Sequence, residues 1–170
     1  MDLKSMIRNV EDFPVEGICF KDITTLLKDG KAFRYAIKQM AEAVKEKEVE
    51  LIAGPEARGF LIGAPLAFEL SVGFIPARKS GKLPAETISS EYKLEYGKDI
   101  LEMHKDAIEK GQKVLVVDDL LATGGTIYST IEMVEKLGGV VVGVAFLIEL
   151  TFLNGRENLK NYDVFSIIKY

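Results

Sequence analysis

Two periodicities of apolar positions alternate along the chain. From Asp29 onward, Phe33, Ala36, Ile37, Met40, Ala41 and Val44 recur at helical spacing with Lys and Glu between them, which predicts an amphipathic helix ending near Lys47. Leu51 to Ala53 reads as a short strand stopped by Gly54-Pro55, and a helix-compatible pattern follows over Arg58 to Leu70. Val72 to Ala77 gives another strand. Val114 to Val117 is an unbroken run of Val and Leu, as expected of a strand covered on both faces. Ile127, Ile131, Val134 and Leu137 form one stripe of a helix over Thr126 to Leu137, and Gly138-Gly139 ends it ahead of strands at Val140 to Leu147 and Val164 to Ile168. Strands alternating with helices over short connections predict an α/β fold, with a doubly wound, mainly parallel central sheet flanked by helices. In such a fold ligands bind at the carboxyl ends of the strands.

Three stretches break the pattern. A short helix is expected near the N-terminus, followed by an irregular but ordered excursion over Phe13 to Asp22 (FPVEGICFKD). Arg78 to Ser90 (RKSGKLPAETISS) is polar, contains Gly81 and Pro84, and reads as a mobile loop. Tyr92 to Tyr96 and Ile100 to His104 are short runs around Gly97-Lys98, consistent with a hairpin. There is no internal repeat and no linker-like shift in composition, so residues 1–170 are read as a single domain.

The chain has 170 residues, 48% of them hydrophobic and 28% charged, and a chain of this size buries roughly 70% of its unfolded surface without needing a disulfide or structural metal. The formal charge of -4 argues against a general nucleic-acid or membrane-surface binder, so any anion site must be local. Cys19 is the only cysteine and His104 the only histidine, which removes disulfides, cysteine metal clusters and two-histidine mechanisms. Charges at Asp2, Lys4, Arg8 and Glu11 leave no apolar stretch of the signal-peptide kind, so a cytoplasmic location is expected. The longest apolar run, Gly138 to Ile148, is shorter than the roughly 18 residues of a membrane span.

The chemistry concentrates in Val114 to Thr126, VLVVDDLLATGGT. A buried strand delivers Asp118 and Asp119 to its carboxyl end, and Ala122, Thr123, Gly124, Gly125 and Thr126 lead into the next helix. Free N–H groups at a helix start, glycines that permit close approach and threonine hydroxyls make an anion site. The two carboxylates can accept hydrogen bonds from vicinal hydroxyls, so the unit fits a ribose 5-phosphate. Taken singly, Asp-Asp can be a strand cap and Thr-Gly-Gly a generic turn; it is their order after an apolar strand that carries the reading. Gly54 to Gly59 has Walker A spacing, but Phe60-Leu61 stand where Lys and Ser or Thr are required, and neither G-x-G-x-x-G nor H-E-x-x-H occurs. A second strand-to-helix loop, Glu56, Ala57, Arg58 and Gly59, can hold a more highly charged anion, and Arg78, Lys79 and Lys82 add cations around Gly81.

VLVVDDLLATGGT resembles the phosphoribosyl diphosphate (PRPP) signature of type I phosphoribosyltransferases, and its DDLLATGGT form resembles the adenine-specific branch. FPVEGICFKDI, ARGF (Ala57 to Phe60), RKSGKLP and YKLEYGK agree in order, so the resemblance spans nearly the whole chain. It implies a homodimeric, magnesium-dependent enzyme, with the metal held mainly by PRPP and no direct protein ligand, joining adenine to PRPP to give AMP and pyrophosphate. It further implies a hood over about residues 1–25, a flexible lid loop over about 80–92, and pyrophosphate at the Glu56–Gly59 loop with Arg58 as a catalytic cation. Adenine would stack on Phe20 and be read by main-chain groups of Cys19 and Lys21; Lys21 stands where many relatives have Arg, which suits main-chain reading better than a guanidinium contact. Glu95 matches an acidic residue near the purine imidazole that can take the N9 proton, and Asp118 and Asp119 would steady the reacting sugar. A sister enzyme acting on a 6-oxopurine or a pyrimidine, and a non-enzymatic PRPP sensor, share the PRPP motif and are the alternatives.

Overall fold

The computed structural model describes residues 1–93 and 98–170. Arg8–Val10 (β1) and Phe20–Asp22 (β2) pair antiparallel as a small separate sheet, Val10 opposite Phe20. The short helix expected at the N-terminus is a single 3-10 turn over Lys4–Met6 that gives way to β1. A one-turn helix Thr24–Leu27 (α1) leads to Gly30–Val44 (α2), whose start is capped by Asp29: its carboxylate accepts from the N–H groups of Lys31 and Ala32, both at 3.0 Å. The apolar stripe read from the sequence is its buried face, with Ala36, Ile37, Met40 and Val44 inward.

The rest of the chain builds one sheet: Leu51–Pro55 (β3), helix Arg58–Leu70 (α3), Gly73–Lys79 (β4), Thr87–Lys93 (β5), Lys98–His104 (β6), Lys113–Leu121 (β7), helix Gly125–Lys136 (α4), Val140–Glu149 (β8) and Val164–Lys169 (β9). The seven strands lie in the order β5-β6-β4-β3-β7-β8-β9. The five from β4 to β9 are parallel, and β5 and β6 add an antiparallel hairpin at one edge. Helices α2 and α3 cover one face, packing on Leu115 and Val117, while α4 covers the other through Ile127, Ile131 and Val134 against Val114 and Val116. This is why β3 and the first half of β7 carry apolar side chains on both faces.

The polar stretch expected as a loop over about 80–92 is shorter. Residues 80–86 form the loop, and Thr87–Lys93 is the edge strand β5. Its Ser, Thr and Glu residues suit a strand with one neighbour and a wet outer side, a composition that mimics a loop when read in one dimension.

Strand order decides where ligands can sit. The chain leaves β3 for β4 on one side of it, and leaves β7 for β8 on the other side of that. The two departing connections diverge and open a crevice above the carboxyl ends of β3 and β7, the switch point of a doubly wound sheet.

Candidate active site

The crevice is a cleft of about 370 Å³ lined by Arg58, Tyr92, Asp118, Asp119 and the loop from Ala122 to Thr126. Both aspartates sit in the last part of β7. Leu115 and Val117 pack into the α2/α3 layer, yet so does Leu120, so the in-out alternation slips by one residue across Asp118-Asp119. That slip brings both carboxylates to the cleft rather than sending them to opposite layers.

Asp119 is 3% exposed, and its Oδ2 lies 3.1 Å from Arg58 Nε. Among the described residues, neither that oxygen nor Arg58 Nη1 has a hydrogen-bond partner, so each retains an unused, buried valence in the cleft. Asp118 Oδ1 accepts the N–H of Asp119 at 2.8 Å. It also crowds Gly59 at the start of α3, where a Cβ would stand 3.1 Å from the same oxygen. Burial pushes the Asp118 carboxyl well above the usual carboxylate range, and the neighbouring Asp119 charge adds to the rise. Burial also raises Asp119, against the opposing pull of Arg58. Two crowded carboxylates of this kind gain from donors such as sugar hydroxyls, and from positive charge developing nearby.

The loop after β7 ends at Gly124, which has φ +89, a left-handed conformation that costs a side-chain-bearing residue free energy. Gly124 is the N-cap of α4 and offers no side-chain cap, so the first N–H groups of α4 are open to an anion. α3 likewise begins after Ala57 without a side-chain cap.

The structure brings Phe20 to this centre. The Arg58 guanidinium lies 5.0 Å from the centroid of the Phe20 ring, and Phe13 meets that ring edge-on at 5.2 Å. The other two hood residues turn their side chains elsewhere. Lys21 Nζ donates to Asn9 Oδ1 at 2.8 Å and lies 4.2 Å from the centre of the Tyr170 ring, while Cys19 Sγ donates to Glu11 at 3.2 Å. What these two positions offer a base is therefore main chain.

Glu56 is an anchor for β4: its Oε1 accepts from Arg78 Nε at 3.2 Å and from the Lys79 N–H at 2.8 Å. Lys79 Nζ reaches Asp99 at 3.2 Å, and the same Asp99 oxygen accepts the Tyr92 hydroxyl at 3.1 Å. Burial, with that acceptor, pushes the Tyr92 phenol up to about 12. Lys82 is exposed on the loop, which is tied at its roots by Ser80 Oγ to Glu102 at 2.7 Å and by the Ala85 N–H to His104 Nε2 at 3.4 Å. Glu95 lies outside the described residues. Sequence reasoning missed Tyr92 as part of the cleft, and missed Gly155 and Asn158, which touch the loop of residues 122–124 from a segment more than thirty positions later. No local spacing announces such a contact.

Residues 22–169 match the phosphoribosyl transferase domain family. A relative from Caldanaerobacter subterraneus subsp. tengcongensis named adenine phosphoribosyltransferase is 63% identical over 169 residues, covering 99% of this chain and 98% of its own. A similarly named protein from Clostridium novyi is 62% identical over 170 residues, covering 100% of this chain and 99% of its own. The crystal structure of adenine phosphoribosyltransferase from Thermoanaerobacter pseudethanolicus superposes with a TM-score of 0.97 at 61% identity, covering 99% of this chain and 98% of that one. The Saccharomyces cerevisiae enzyme, solved with an imino-altritol bisphosphate and adenine, gives a TM-score of 0.91 at 41% identity and covers 97% of this chain and 96% of that one. With its crevice, its paired aspartates and its uncapped helix start, the chain belongs to the phosphoribosyltransferase family, in the adenine phosphoribosyltransferase branch.

Proposed function

We propose that the chain transfers the 5-phosphoribosyl group of PRPP to N9 of adenine, giving AMP and pyrophosphate. The observation that carries this reading is the single cleft joining the Ala122–Thr126 loop, Asp118 and Asp119 to Arg58, which itself stacks on Phe20 of the hood. The loop and the start of α4 take the 5-phosphate; the aspartates accept the ribose hydroxyls. The C1′–O bond to pyrophosphate breaks, the sugar passes through an oxocarbenium-like state flanked by the two carboxylates, and adenine N9 bonds to C1′ from the other face. Arg58 and the backbone of Glu56–Gly59, with Arg78 and Lys79 at the end of the adjoining strand β4 and Lys82 on the loop after it, receive the leaving anion. The N9 proton passes to Glu95. No covalent nucleophile is needed, so orientation and fixed charge supply the acceleration.

The cleft's donor set suits magnesium carried by the diphosphate. Asp119 already faces Arg58, so the two carboxylates would hold the ion indirectly, through ribose hydroxyls or water. When bound, magnesium neutralises the pyrophosphate leaving group. Pairing of two copies belongs to the same proposal, supported by Leu61 and Phe68, exposed seven residues apart on α3. A cytoplasmic setting is supported by the free thiol of Cys19.

Pyrophosphate release on incubation with PRPP, magnesium and a single base tests the reading. Adenine is expected to exceed guanine, hypoxanthine and orotate in kcat/KM by at least about a hundredfold, since a base edge read by main-chain groups leaves those groups unpaired with the wrong base. Preference for a 6-oxopurine or for orotate would move the chain to a sister activity, and PRPP binding without release would make it a sensor.

The loop of residues 80–86 is proposed as the lid that keeps water from the oxocarbenium-like sugar. Trypsin is expected to cut first at Lys82, and AMP or PRPP with magnesium to slow that cut by several-fold relative to cuts elsewhere. Equal rates in the presence of demonstrated binding would remove the lid from the proposal.

A further inference from the structure

The phosphate loop is touched by a piece of chain that does not itself line the cleft, the 3-10 turn Gly155–Leu159. Gly155 packs so tightly that a Cβ there would collide with the Ala122 carbonyl oxygen and would come within 2.8 Å of the Leu121 side chain. The Gly155 carbonyl in turn lies 3.3 Å from where a Cβ on Gly124 would be. Asn158 Nδ2 donates to the Thr123 carbonyl at 2.8 Å. In a planar trans peptide the C=O and the following N–H point in opposite directions. Holding the Ala122 and Thr123 carbonyls toward the turn therefore directs the N–H groups of Thr123 and Gly124 away from it.

The turn is itself bolted to the sheet. Arg156 donates from Nε and Nη2 to the two oxygens of Glu149, at 2.6 and 2.8 Å, and from Nη1 to the Val164 carbonyl at 3.0 Å. Arg156 Nη2 also reaches Ser166 Oγ at 3.1 Å, and Ser166 donates to Glu149. Glu149 is 4% exposed, and the Arg156 fork holds its carboxyl below the usual range. A planar fork on a buried carboxylate fixes orientation as well as charge, which lysine cannot do.

We infer that this turn pre-forms the anion site, with Asn158 as a positioning residue for the loop that takes the PRPP 5-phosphate, and Arg156 as the positioning residue of the turn. The inference rests on the proposed reading of the cleft. A Thr-Gly-Gly-Thr loop has many accessible conformations, and an anion bound by its N–H groups must offset the cost of selecting one; a buttress that selects it beforehand raises affinity without touching the ligand.

Steady-state kinetics and AMP titration calorimetry on the full chain test it. Asn158→Ala is expected to raise KM for PRPP and Kd for AMP about fivefold to tenfold, the effect of one lost hydrogen bond, with kcat and KM for adenine within twofold of the parent. Asn158→Gln, which keeps the donor, is expected to recover part of that loss. Arg156→Lys is expected to act in the same direction as Asn158→Ala, and Glu157→Gln, on the exposed side of the same turn, to change nothing. Unchanged PRPP and AMP affinity in a folded Asn158→Ala chain overturns the inference, as does an equal fall in kcat and in affinity for both substrates. If the parent releases no pyrophosphate with adenine, the base assignment fails while AMP titration still reads this inference.

Discussion

Asp118→Asn is expected to give a chain that unfolds at a higher temperature than the parent and is nearly inactive. Burial, followed by the Asp119 charge, raises the Asp118 carboxyl well above its ordinary value, so the folded state disfavours the ionised form that the unfolded chain adopts freely. A raised acid costs stability as pH rises through the window between its ordinary and folded values, and the full cost is carried above that window. Asn removes the charge and keeps an oxygen to accept the Asp119 N–H that Asp118 now accepts at 2.8 Å. The gain should be about 1 kcal/mol, or roughly 2–4 °C in Tm for a chain of this length, larger at pH 8 than at pH 5. Turnover should fall about 10²–10³-fold, because the carboxyl that accepts from the ribose and can ionise as positive charge develops beside it is lost. Asp119→Asn is expected to differ: it strips the Arg58 guanidinium of its partly buried counter-charge and should lower Tm as well as activity. Thermal unfolding at the two pH values, run beside pyrophosphate release, checks both; equal Tm for Asp118→Asn and parent at pH 8 would contradict the burial argument.

The second large effect is at the start of α4. Gly125→Leu is expected to lower PRPP and AMP affinity at least a hundredfold, about 3 kcal/mol, with the fold intact. Gly125 is exposed, lines the cleft and is the first residue of a helix whose N-cap supplies no side-chain acceptor. A leucine there occupies the space of the phosphate and screens the open N–H groups. It weakens nothing in the helix, since leucine is the better helix former. Thr126→Leu, one residue on, should act in the same direction and also removes a hydroxyl donor. Calorimetric titration with AMP, with circular dichroism to verify folding, reads the result; affinity within twofold of the parent would show that the 5-phosphate binds elsewhere.

The reach of sequence reasoning differs between elements for identifiable reasons. The stripe of α2 and the apolar run of β7 are local consequences of one burial environment, so their periods survive in one dimension. Most of β5 reads as a loop because an edge strand with a wet side, TISSEYK, has no long apolar run to betray it. β1 and β2 are three residues each, too short for any period, and exist through pairing with each other.

For the site, the local order of VLVVDDLLATGGT determined that two carboxylates end a buried strand and that an open helix start follows, because strand, loop and helix there are contiguous. The hood was legible only as a resemblance. Tertiary structure alone decided that Arg58 turns to Asp119 and stacks on Phe20, that Lys21 turns to Tyr170, that Tyr92 closes one edge of the cleft, and that Gly155 and Asn158 press on the phosphate loop. Each of these joins segments distant in the chain, and such contacts are set by strand order and by close packing, which leave no periodic mark on the residues that make them.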